Sequence, residues 1–141
     1  MKNKIYKPKI DKLFWWITVP TVMLLVGTTA ISVFSPMSLV VSLSIDVFTL
    51  YFLISPLFGY VELRESEIFV KFGFIMKRSI SYSKIRGVEK KRQFYSDSML
   101  SLKNSFDHIN IKYNVFDVVA VSVVGNDELV AELEARVRRV K

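Results

Sequence analysis

The sequence contains no cysteine and a single histidine, His108, which excludes disulfides, thiol nucleophiles and thiolate metal sites and leaves little for zinc. Glycine and proline are scarce, at 5 and 4 residues, and Gly73 and Gly87 stand alone without forming a phosphate-binding loop. The serines of Ser79–Ser83 and Ser96–Ser105 sit in no nucleophile-elbow pattern. His108, beside Asp107 on the polar side of its segment, lacks the positioned partner that acid–base chemistry requires and reads as a surface residue. No catalytic residue, metal site or cofactor is expected, and the chain reads as a non-enzyme.

The most informative absence is of charge. From Leu13 to Ile45 no side chain is ionisable, and after the lone Asp46 the apolar character continues to Phe58. About 20 apolar residues already cross a bilayer core, and this run holds two such stretches. Ser35-Pro36-Met37-Ser38 is the natural break, because proline lacks a backbone donor and biases its predecessor away from helix. The expectation is a transmembrane two-helix hairpin, with helices over about 13–34 and 38–58. A re-entrant hairpin, or one span followed by a helix on the lipid surface, are the alternatives. Lys2, Lys4, Lys7, Lys9 and Lys12 resemble the basic region of a secretory signal. A signal's apolar stretch is only about 7–15 residues, however, so the segment reads as an uncleaved anchor.

Orientation follows from Lys and Arg, which are retained on the cytoplasmic side. The five lysines precede the apolar run, and Arg64, Lys71, Lys77 and Arg78 follow it. Basic flanks on both sides require an even number of crossings, which places both termini in the cytoplasm. Trp15, Trp16 and Tyr60 fall at the level of interfacial aromatics. Asp46 is the one ionisable group at membrane depth, where a charge costs at least about 2.5 kcal/mol and should not face lipid. Folding at Pro36 brings Asp46 level with Gly27 and Thr28, and Ser42 and Ser44 near Thr29 and Ser32. The functional reading of this polar seam is a proton or ligand site. The structural reading is helix packing through small residues and hydroxyls, and it is preferred because the segment contains no second acid or base.

From Tyr60 the period changes to two. Val61 and Leu63 alternate with Glu62 and Arg64, and Ile68, Val70, Phe72 and Phe74 with Lys71 and Gly73, as in half-buried strands. Arg64–Glu67 and Gly73–Met76 are turns; strands follow at Ser79–Tyr82 and Ile85–Phe94, and the serine-rich Tyr95–Lys103 breaks the pattern. Alternation resumes at Ile109, Ile111 and Tyr113, turns at Asn114-Val115, and ends over Phe116–Val123. Gly125-Asn126-Asp127-Glu128 then starts a helix with an acidic first turn, and Arg136, Arg138, Arg139 and Lys141 load its end, both favourable to the helix dipole. Leu129, Val130, Leu133, Val137 and Val140 form its apolar stripe, suited to the open face of a small sheet. The expected fold is α+β: an anchor over residues 1–59, then a cytoplasmic domain over 60–141, an antiparallel sheet or partly open barrel capped by the C-terminal helix.

The net charge of +7, from 20 Lys and Arg against 13 Asp and Glu, points first to an anionic lipid surface. Lys77, Arg78, Lys84, Arg86, Lys90, Lys91 and Arg92 are the densest basic run, with only Glu89 opposing them, and form the candidate face for lipid or a partner, the alternative being a plain solvated edge. Only Phe94 and Tyr95 lie beside the run, whereas single-strand binders interleave several aromatics, so no nucleic-acid partner is expected.

Three blocks carry a resemblance: Ile80-Ser81-Tyr82-Ser83-Lys84-Ile85-Arg86-Gly87-Val88, Ser105-Phe106-Asp107-His108-Ile109-Asn110-Ile111-Lys112-Tyr113, and Phe116-Asp117-Val118-Val119-Ala120-Val121-Ser122. In this order they resemble bacterial pleckstrin-homology-like (PH-like) domains. The chain as a whole, anchor included, resembles the sublancin immunity family of membrane-anchored proteins. Val123 departs from that pattern, where proline is frequent, and so does His108, where arginine is common. The resemblance implies immunity to a bacteriocin by binding or shielding rather than catalysis, with the bilayer and either the bacteriocin or its membrane target as partners. A general membrane scaffold or envelope-stress component, and a small ion-coupled transport subunit using Asp46, are the alternatives.

Overall fold

A computed structural model describes residues 2–93, 101–102 (backbone) and 105–141. The chain begins with a short strand, β1 (Lys4–Tyr6), before two long helices, α1 (Lys12–Ser32) and α2 (Pro36–Ile54). Asp11 caps α1, its Oδ1 accepting the Leu13 N–H at 2.9 Å. The helices turn at Ser35, as the proline indicates. The second begins at Pro36 rather than Ser38, since proline at the first helical position loses no intrahelical bond. A 3₁₀ turn, Ser55–Phe58, continues α2, so the two apolar stretches Lys12–Ser32 and Pro36–Phe58 are each long and apolar enough to cross a membrane.

The remaining strands are β2 (Tyr60–Leu63), β3 (Glu67–Lys71), β4 (Lys77–Ser81), β5 (Ile85–Arg92), β6 (Ser101–Leu102), β7 (Asp107–Tyr113) and β8 (Asp117–Val121), followed by helix α3 (Asn126–Val140). They form two four-stranded sheets, β1-β2-β3-β4 and β5-β7-β8-β6, and do not close into a barrel. All pairings are antiparallel except β6 with β8, which is parallel. The inward residues Val61, Leu63, Ile68, Val70, Ile80, Ile109, Ile111, Val119 and Val121 meet between the sheets, and α3 covers them with Leu129, Leu133 and Val137. This is the half-buried alternation that the sequence displays.

The expected division at residue 59 is crossed by the N-terminal segment. Lys4, Ile5 and Tyr6 pair with Leu63, Glu62 and Val61, Tyr6 enters the core, and the Lys9 N–H donates to the Ser122 carbonyl. Strand β8 ends at Val121 rather than Val123 because the chain beyond it is tied elsewhere. Ser122 Oγ donates to the Asp107 carbonyl at 2.7 Å, and the Val123 N–H to Asn126 Oδ1 at 2.9 Å. Strand β5 carries a bulge at Arg86, which keeps both Ile85 and Val88 on the core side. Phe94, Tyr95 and the expected break at Tyr95–Lys103 lie outside the described residues apart from the short β6.

His108 is not a surface residue: it has no exposed area, and Asn110 and Ala120 beside it are equally enclosed. The second sheet is thus buried on both faces at this point, which one-sided alternation does not anticipate. The His108 Nδ1 stands 3.2 Å from the Phe106 carbonyl and therefore carries the proton in that contact.

Candidate membrane-facing site

The hairpin is joined by hydroxyls and one carboxylate. Thr29 Oγ1 donates to Asp46 Oδ2 and lies 3.1 Å from Ser42 Oγ, and Ser42 is the only buried residue of α2. Ser44 and Ser32 do not join this seam; they bond back to the carbonyls of Val40 and Thr28 on their own helices. Asp46 thus faces its partner helix, where it meets Thr29 rather than the expected Gly27 and Thr28. Apart from the buried Leu13, Phe14 and Leu25 of α1, most large apolar side chains of the hairpin are exposed, with Phe34 92 % and Met37 75 % exposed at its tip.

The basic run is divided among elements rather than gathered on one face. Lys84 lies in the turn between the sheets, and Arg86 at the bulge reaches the Val115 carbonyl at 3.4 Å. Lys90 and Arg92 share the side of β5 that carries Val88; Lys90 pairs with Asp127 of α3 at 2.6 Å, and Arg92 lies 3.8 Å from Asp107. Lys91 lies on the opposite side, next to His108. Lys77 and Arg78 open β4 at a different place, where Lys77 faces Lys71 across the ladder and Lys71 faces Tyr60. These residues line the end of the first sheet at which the chain leaves α2. The Lys71 ammonium lies 5.9 Å from the Tyr60 ring centroid, and the Arg78 guanidinium 5.8 Å from that of Tyr113. Of the candidate face, only Lys77 and Arg78 stand beside the anchor in this way.

The ammonium groups of Lys4 and Lys9 serve the domain. Lys4 bridges Glu128 and Glu132 of α3, each at 3.4 Å, and the hydrogen bond it donates to Glu132 raises the pKa of its ammonium above the usual value. Lys9 lies 3.6 Å from Asp107. At the N-cap of α1, Asp11 also accepts a bond from Ser105 Oγ, which ties the start of α1 to the segment leading into β7.

The polar group that sequence reasoning missed is Arg136. Its side chain is 3 % exposed; Nε meets Glu132 at 3.0 Å, Nη1 donates to the Arg64 carbonyl at 2.8 Å and Nη2 to the Lys2 carbonyl at 3.1 Å. Tyr82, fully buried, donates to the same Arg64 carbonyl at 2.7 Å. Burial pushes the Tyr82 phenol up, keeping it neutral, while the Arg136 hydrogen bond holds the Glu132 carboxyl below its usual range. The signal in the sequence is positional: Arg136 falls seven residues after Leu129 and three after Leu133, within the apolar stripe rather than at a solvated helix end. Helix α3, the segment just before β1 and the β2–β3 turn are thereby held at one point.

Among the described residues no group of three or more His, Asp or Glu side chains could hold a metal ion. No curated protein matches the chain. Among solved structures, the C-terminal domain of an unknown protein from Leishmania infantum aligns at 17% identity with a TM-score of 0.43, covering 57% of this chain and 68% of that one. A family model described as bacterial PH domain matches residues 59–137, more than half of the sequence and all of the strands from β2 onward with most of α3. The chain belongs to the bacterial PH domain family.

Proposed function

We propose that this is a membrane-anchored binding protein that confers bacteriocin immunity of the sublancin type, its PH-like domain held at the cytoplasmic face and acting by binding or shielding rather than catalysis. The observation that carries the anchoring is the pairing of β1 with β2 across the hairpin. The strands before and after the helices are neighbours in one sheet, so both ends of the hairpin lie on one side of any bilayer it enters. The helices are not core helices of a soluble domain, since almost all of their apolar surface is uncovered. Lys2, Lys7 and Lys12, with Lys71, Lys77 and Arg78, favour the cytoplasm for that side. Immunity itself rests on the likeness of the three sequence blocks and of the anchor-plus-domain build to that family.

The test is expression in a sensitive bacterium and measurement of the inhibitory concentration of sublancin. A several-fold rise is expected, and an unchanged value at normal protein levels overturns immunity in favour of a general PH-domain scaffold. Asp46→Asn retains an acceptor for Thr29 and is expected to protect as well as the parent chain. Loss of protection in that variant, at normal protein levels, would instead support a proton- or ion-coupled role.

A further inference from the structure

The loop between β3 and β4 carries three consecutive large apolar side chains, Phe74, Ile75 and Met76, which are 43%, 77% and 54% exposed. Such a patch on a turn is unfavourable in water and marks a contact surface. Its position identifies what covers it. The Phe74 ring packs at 4.8 Å from Phe58 and 5.3 Å from Tyr51, and Tyr51 belongs to α2 itself, so the loop runs alongside the last turn of the apolar helix. The Phe74 N–H donates to Ser55 Oγ at 3.2 Å, and the Phe72 N–H closes the loop on the Met76 carbonyl at 2.8 Å. Gly73 permits this seating: a Cβ there would lie 1.9 Å from Ser55 Oγ and 3.1 Å from Ser55 Cβ. The strands on either side supply Lys71, Lys77 and Arg78, and no acidic residue occurs between Ile68 and Val88. An apolar tip continuous with a membrane helix and rimmed by cations matches the layering of an anionic bilayer surface, acyl chains below and phosphates above.

We infer that the Phe74-Ile75-Met76 loop is a third membrane-contacting element, inserted at the headgroup–acyl boundary beside α2, with Lys71, Lys77 and Arg78 on the phosphates of anionic lipids. This rests on the membrane reading of the hairpin. The loop would fix the tilt of the domain on the bilayer, which a two-helix tether alone leaves free, and so determine which surface of the domain faces the cytoplasm.

The chain lacks cysteine, so single spin labels can be placed by Ile75→Cys, by Ser66→Cys at the opposite end of the same strands, and by Val47→Cys on the exposed side of α2. The full chain is reconstituted in phosphatidylcholine–phosphatidylglycerol vesicles, and collision with oxygen is compared with collision with a water-soluble nickel complex. With the label at 47 in lipid, the expected oxygen-to-nickel ratio at 75 is several-fold that at 66. A label at 47 in lipid with 75 as aqueous as 66 overturns the loop proposal and leaves the anchor standing. An aqueous label at 47 overturns the membrane reading and the loop proposal with it.

Discussion

At the scale of single residues, Arg136 shows how one buried charge organises the domain. Its guanidinium serves a carboxylate and two backbone carbonyls from distant parts of the chain, Arg64 and Lys2. A hydrogen bond to a charged group contributes about 1.5–3 kcal/mol, so Arg136→Met is expected to destabilise the protein by about that amount through the orphaned carbonyls, measured by thermal denaturation in detergent. Glu132 adds a pH dependence of known sign. Its folded pKa is depressed below 4.5, so its contribution is complete above 4.5 and is lost as pH falls through the lower folded value. The melting temperature should therefore fall on acidification below about pH 4.5, and fall less in Glu132→Gln; equal slopes in the two proteins would contradict this role.

At the scale of elements, β1 is the piece that alternation could not announce. Three residues are too few for a period, and the lysines around Ile5 and Tyr6 read as a flank for the membrane segment. Only the register with β2 shows that Tyr6 belongs to the core and that Lys4 belongs to α3. The longer strands were legible because one face of each is buried: Val61, Leu63, Ile68 and Val70 could be assigned inward from alternation alone. His108 and Asn110 were not, because their burial depends on a second covered face that leaves no mark on the period. The Asp46 seam was legible only in part: folding at Pro36 sets Ser42 near Thr29, as found, but levels Asp46 with Gly27 and Thr28 whereas its partner is Thr29, and Ser32 and Ser44 satisfy themselves within their own helices. Burying a large side chain contributes about 1.5–3 kcal/mol. A protein in which Lys12–Phe58 is replaced by a short Gly/Ser linker, retaining β1, is accordingly expected to exceed residues 60–141 alone by at least about 2 kcal/mol in denaturant unfolding. Equal stabilities would show that β1 contributes nothing.

At the scale of the whole molecule, the hairpin is an insertion between two neighbouring strands of one sheet. That arrangement converts a tether into a fixed mount: the first sheet receives the chain from α2 at Tyr60, and β1 sends it into α1 within six residues of Tyr6. The dispersed basic run fits the same geometry. Residues far along β5 are matched by Asp107 and Asp127, whereas Lys71, Lys77 and Arg78 remain at the end next to the helices. The charge was visible in the sequence, but its distribution was not, because the chain changes sheet between Arg78 and Arg86.

The most direct measurement is the sidedness of the hairpin tip relative to the domain. With Met37→Cys and Ser66→Cys as single cysteines, intact cells are treated with a membrane-impermeant maleimide. Position 37 should be labelled from outside and position 66 only after permeabilisation. Labelling of both positions from the same side would contradict a hairpin that crosses the bilayer and returns the domain to its inner face.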